Sequence, residues 1–250
     1  MLPDAASLDV SGAVVNPVFR ATPWQAEQNR DSEEPGPARV LFVSESGVCR
    51  SVLALAFFQD LIRQHGLESQ VIADAKASRD YNVGDGPEAS AETVLTRVGL
   101  EAPPGFQARQ FEEAADIVAF DLVIVMDKFT AADVLREVSV FDTINPAGQY
   151  SLKVRRLGSF HPQLAGRTEP DAQDITDPLY GNAGGDDEET AVAAVAEMIQ
   201  ASCQGLVQHL KQLPQGRGRP EVSCLRDGLI AWVRQTEAID WLVPPMLQRK

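Results

Sequence analysis

The sequence predicts an α/β domain: a doubly wound, four-stranded parallel sheet with helices on both faces. Short runs of apolar, β-branched residues alternate with stretches of helical period. Glycine, proline and short polar residues punctuate the runs, as in right-handed βαβ units. The domain takes residues 39–213, after an arm over 1–38 and before a linker and C-terminal amphipathic helix over 214–250.

Residues 1–38 show no sustained period and lead into the charged, proline-containing DSEEPGPAR. They read either as a mobile tail or as an arm pinned by Val15, Phe19 and Trp24. Arg39 to Val43 is a short apolar run suited to a buried parallel strand. A turn follows, and then a helix from Ser51 to Gln64 that Gly66 ends as its C′ residue. Gln70 to Ala73 is the second strand, and Ser90 to Val98 is a helix closed by Gly99. Phe120 to Met126 is the strongest strand pattern in the chain. Thr130 is the expected N-cap of a helix reaching Val138, and Val154 to Leu157 is a fourth short strand. The longest helix runs from Asp187 to Leu213, with acidic residues 186–189 at its positive end and His209 and Lys211 at the other. After Pro214, the residues Leu225, Leu229, Trp232, Thr236, Ile239 and Val243 fall on one helical stripe. Either the parent domain or a partner has to cover it.

The formal net charge of −14 argues against nucleic acid or an anionic membrane surface as a general partner. Three scattered cysteines, Cys49, Cys203 and Cys224, make neither a disulfide framework nor a zinc site, so a reducing compartment is expected. No apolar run approaches the ~20 residues of a membrane span, and no basic n-region precedes an apolar stretch at the start. The expectation is a soluble, intracellular protein, in the cytoplasm or in an organelle if a transit peptide has been removed.

The informative segment is Ser44 to Ser51. A loop between a buried strand and a helix N-terminus gathers backbone N–H groups at one spot, and the helix dipole adds partial positive charge. Arg50 supplies a planar fork for two phosphate oxygens, and Ser51 offers a hydroxyl to the loop's first residue. On physics alone, this is a cradle for phosphate or sulfate.

The segment VLFVSESGVCRS resembles the signature loop of the low-molecular-weight protein tyrosine phosphatases, V-C-x-x-N-x-C-R-S, shared with related arsenate reductases. Asp80 to Gly84 with Pro87 resembles the segment whose aromatic residue lines the family's substrate cleft. Phe120 to Asp127 resembles its third-strand signature, and Leu157 to Phe160 with Pro162 its LGSYxP turn. Ile175 to Asn182 resembles the loop that carries the general acid. The resemblance runs from Arg39 to Leu213 and implies the family's fold, with no cofactor and no metal. It also implies that Ser44 stands at the nucleophile position, where the family has a cysteine thiolate that attacks phosphorus. Arg50 would bind phosphate, Ser51 would be the hydroxyl partner, and Asp177 would be the general acid. Glu45, Ser46, Gly47, Val48 and Cys49 complete the phosphate loop, and Tyr81, Leu179 and Tyr180 line the cleft. For Asp177 a purely structural role in the turn, with Tyr180 packing beneath it, stays open, as does a half-buried packing role for Tyr81.

A cysteine with a free pKa of ~8.5 becomes a thiolate in such a loop, whereas a serine hydroxyl needs an adjacent base. His65 lies about 20 Å along the first helix, His209 lies late in the last one, and the surroundings of His161 are undefined by sequence. Glu45 adds a carboxylate to the loop, Gly47 replaces the family's asparagine, Val52 its proline, and Leu179 a usual aromatic. Cys49 has Leu55 where a nucleophile of this type needs an arginine, and so reads as an inert thiol.

The expected function is that of a pseudophosphatase, a catalytically impaired binding or scaffold module. The sharper version traps a phosphorylated protein partner; the blander one is a structural subunit. Docking would run through the N-terminal arm or the C-terminal helix. The alternative is an active or weakly active phosphatase that uses Ser44, or water, with Asp177.

Overall fold

The computed structural model describes residues 36–167, 169, 171–180, 186–213 and 224–239. The arm with Val15, Phe19 and Trp24 therefore lies outside the described residues, as do Gly181, Asn182 and Val243.

Four parallel strands form one sheet in the order β2-β1-β3-β4: β1 (Ala38–Ser44), β2 (Val71–Ala77), β3 (Leu122–Val125) and β4 (Val154–Arg156). The central strands are apolar throughout because both faces are covered. Val40, Phe42, Leu122 and Ile124 point to one core, while Leu41, Val43, Val123 and Val125 point to the other. The first core is closed by α1 (Arg50–Gln64), α2 (Ala89–Arg97), α5 (Asp186–Gln212) and α6 (Leu225–Gln235). The second is closed by α3 (Glu113–Ala119) and α4 (Lys128–Ile144). The doubly wound sheet with helices on both faces is the expected one.

α1 ends as its sequence signals. Gly66 N–H donates to Arg63 O at 3.1 Å and Leu67 N–H to Ile62 O at 2.8 Å, a Schellman pair. α2 ends the same way at Gly99, with Leu100 N–H donating to Leu95 O at 2.9 Å.

Other boundaries differ from the sequence reading, for physical reasons. β2 continues four residues past Ala73, because its charged side chains find partners. Arg109 grips both oxygens of Asp74, and Lys76, 8% exposed, grips both oxygens of Asp116 at 2.8 and 2.7 Å. The same Asp116 accepts Glu112 N–H at 2.7 Å and so organises α3, a helix the sequence reading did not include. The N-cap of α4 is Asp127 rather than Thr130: Asp127 Oδ1 accepts Thr130 N–H at 2.7 Å. α4 also runs on to Ile144, and Asp142 near its end accepts Ser151 N–H at 3.0 Å in a 3-10 turn over Tyr150–Lys153.

α5 is long and apolar enough to cross a membrane by length and composition alone. Its larger apolar side chains face the domain, however: Val192, Ile199, Cys203, Leu206, Val207 and Leu210 are all buried in the first core. It is a core helix.

The C-terminal stripe is covered by the parent domain. Leu225, Leu229 and Val233 are buried, and Trp232 packs partly against the same core. The helix stops at Gln235, and Thr236 is extended, so Ile239 reaches the second core by another path. Arg226 Nε donates to Asp121 Oδ2 at 3.1 Å, and Asp121 also accepts Arg39 N–H at 3.0 Å, which ties α6 to the start of β1. The apolar stripe of α6 is therefore not free for docking.

Trp232 lies close to two basic groups, the buried Arg155 and the half-buried His209. Arg155, 4% exposed, lies 5.6 Å from its ring centre, and the His209 ring is 4.4 Å away. Burial lowers Arg155 to about 10 and lowers His209 below the usual histidine value. Nε2 of His209 has no hydrogen-bond partner among the described residues. The folded value of His209 lies below the unfolded one, so the native state binds fewer protons there. That contribution is full above the unfolded pKa and is lost as pH falls through the histidine range. The wild-type melting temperature is expected to drop more than that of His209→Phe between about pH 7.5 and 5.5, as measured by calorimetric melts.

Candidate active site

The loop from Ser44 to Cys49 leaves the carboxyl end of β1 and enters α1 at Arg50. It is braced from β2 and beyond. Ser78 N–H donates to Ser44 O at 2.8 Å, Arg79 N–H to Glu45 O at 3.0 Å and Glu88 N–H to Val48 O at 2.9 Å. These bonds use the loop's carbonyls and leave the N–H groups of Ser46, Val48 and Cys49 without a partner among the described residues. Gly47 has φ of +77°, a conformation that costs a glycine little. A Cβ at Gly47 would lie 2.8 Å from Ala77 Cβ and 3.0 Å from Ala77 N, so close packing on β2 also requires glycine.

Ser44 is 1% exposed. Its hydroxyl donates to Ser51 Oγ at 2.9 Å and accepts Gly47 N–H at 3.2 Å. No imidazole approaches it among the described residues. His65 meets Lys211, His161 accepts Gln163 N–H, and His209 packs on Phe160 and Trp232. Cys49 is buried, and burial first, then the Asp177 carboxylate, push its thiol up to about 12. At neutral pH it is a protonated, inert thiol.

Arg50, 1% exposed, is the centre of the site. Nη1 pairs with Asp127 Oδ2 and also donates to Ile175 O at 2.9 Å, while Nη2 pairs with Asp177 Oδ2 at 2.5 Å. The structure thus brings together Ser44, Arg50, Ser51 and Asp177, the four residues the resemblance singled out. It adds Asp127, which sequence reasoning placed only at the end of a strand. The cue was the position itself, an acidic residue at the carboxyl end of a buried strand.

The segment bearing Asp177 is fixed upstream. Ile175 is buried and its N–H donates to Met126 O at 2.9 Å. Gln173 O lies so near Gly158 that a Cβ there would come within 2.2 Å. The rim differs from expectation. Tyr180 is 89% exposed and does not pack beneath the turn, and Tyr81 is 68% exposed rather than half-buried. Leu179 packs partly against the first core. Arg79 and Ser78 are held by Asp133 of α4, at 2.6 and 3.2 Å.

A strand-loop-helix anion cradle at the carboxyl ends of a parallel sheet, with a buried arginine beside a carboxylate, defines a phosphatase-type site. The chain belongs to the low molecular weight phosphotyrosine protein phosphatase family, whose sequence profile matches residues 39–215. The low molecular weight protein-tyrosine-phosphatase of Streptomyces coelicolor is 31% identical over 72% of this chain and 97% of its own length. The crystal structure of YfkJ from Bacillus subtilis superposes with a TM-score of 0.57 at 26% identity, covering 72% of this chain and 98% of that one. The Drosophila arginine phosphatase DARP superposes with a TM-score of 0.55 at 28% identity, covering 69% of this chain and 98% of that one.

Gly47→Ala is expected to cost about 1–3 kcal/mol, because it adds backbone strain and a contact with Ala77. The shift of the urea midpoint measures it.

Proposed function

We propose that this chain is a catalytically impaired member of its family, a pseudophosphatase that binds a phosphorylated ligand on a protein partner without turning it over. The observation that carries the reading is the hydrogen bonding of Ser44. Its side-chain partner is another hydroxyl, Ser51 Oγ at 2.9 Å, and no base stands beside it among the described residues. A serine so placed stays protonated at neutral pH and is a far weaker attacking group than a thiolate, so turnover is lost. The neighbouring thiol of Cys49 is no substitute at about 12. In this reading Arg50 and the loop N–H groups from Glu45 to Ser51 hold the phosphate, and Tyr81, Leu179 and Tyr180 border its entrance. The named activities of the relatives, on phosphotyrosine and on phosphoarginine, set the ligand classes to test.

A second reading is weak hydrolysis, with Asp177 acting on a leaving oxygen or on water. It is favoured by the position of Asp177 at the cradle, in contact with Arg50.

Assay of the wild type beside Ser44→Cys on p-nitrophenyl phosphate separates the two. Loss of the attacking group costs on the order of 10⁶ in rate elsewhere, so the wild type is expected to lie that far below Ser44→Cys. Comparable rates would sink the proposal. Arg50→Ala is expected to abolish phosphate binding in calorimetry. It is also expected to destabilise the fold by about 3–5 kcal/mol, because Asp127 and Asp177 lose their shared cation.

A further inference from the structure

We infer that Asp177 is an internal, displaceable counter-ion of Arg50, a plug that an incoming anion has to move aside before it occupies the cradle. This rests on the anion-binding reading above and specifies how that site is gated.

Two carboxylates share one guanidinium, and they are held differently. Asp127 is fixed through both oxygens: Oδ1 caps α4 through Thr130 N–H at 2.7 Å, and Oδ2 pairs with Arg50. Its side chain is 11% exposed. Asp177 uses only Oδ2 on Arg50, and its Oδ1 accepts Leu179 N–H at 3.0 Å within its own turn. Its side chain is 22% exposed, and its neighbour Thr176 faces solvent. The anchor lies just before it, where Ile175 is held by both its N–H and its carbonyl. Rotation of the Asp177 side chain therefore frees Nη2 without disturbing Asp127 or Ile175.

The charges favour that exchange. Arg50 with Asp127 and Asp177 sums to one excess negative charge, which opposes an anion. With Asp177 turned away, the floor is neutral, and Nη2 offers both its hydrogens to phosphate oxygens. Asp127 cannot play this part, since moving it also uncaps α4.

Isothermal titration of the full chain with inorganic phosphate tests the plug. Asp177→Asn, which retains an acceptor for Leu179 N–H, and Asp177→Ala are both expected to bind phosphate at least tenfold more tightly than wild type. Unchanged or weaker affinity in folded variants overturns the plug alone. Absence of binding in wild type and both variants overturns the plug and the anion-binding reading together. A measurement on unaltered protein guards against misfolded variants: the Leu179 amide is expected to exchange its hydrogen faster once phosphate is bound. Unchanged exchange at saturating phosphate likewise overturns the inference.

Discussion

The structure at the carboxyl end of the sheet depends on where one guanidinium can be neutralised. Arg50 is the first residue of α1 and is almost wholly buried, so its charge has to be met inside the fold. Asp127 meets it from the end of β3, Asp177 from the segment after β4, and the Ile175 carbonyl adds a third contact. Two stretches of chain that are distant in sequence are thereby set around one loop. A lysine has a single compact ammonium and does not reproduce this fork. Asp127 has a second duty, since its other oxygen starts α4. The cradle and the second core are thus linked through one carboxylate.

Serine fits this arrangement at no electrostatic cost. Where the family has a thiolate, Ser44 presents a neutral hydroxyl satisfied by Ser51 and Gly47. The loop's shape is then maintained without an anion of its own. The cradle carries one negative charge fewer than it would with a thiolate. In the proposed reading, loss of turnover and retention of anion binding are compatible consequences of a single atom.

Much of this was legible in the sequence because the signals are local. The apolar β1 run, the glycine at a positive φ, the Arg-Ser pair at the helix start and the glycine-terminated helices each state their own structure. What escaped the reading depends on contacts between distant residues. Lys76 and Asp74 look wrong for a buried strand until Asp116 and Arg109 are seen beside them, and the first of these pairs also creates α3. Thr130 looked like a cap because its competitor, Asp127, belonged to a strand motif. The exposure of Tyr81 and Tyr180 is a property of the folded rim and has no periodic signature. The stripe on α6 was readable as apolar, but only the Arg226–Asp121 pair and the burial of Leu229 show what covers it.

That Arg226–Asp121 pair has a geometric consequence. It fastens the last described helix beside Arg39, at the amino end of β1, whereas Ser44 closes the carboxyl end of the same strand. At the usual rise per residue, β1 separates these two poles by about 20 Å. The length of the strand, rather than the thickness of the sheet, lies between the cradle and the α6 contact. Substitutions at the Arg226–Asp121 pair therefore act on the end of β1 remote from the cradle.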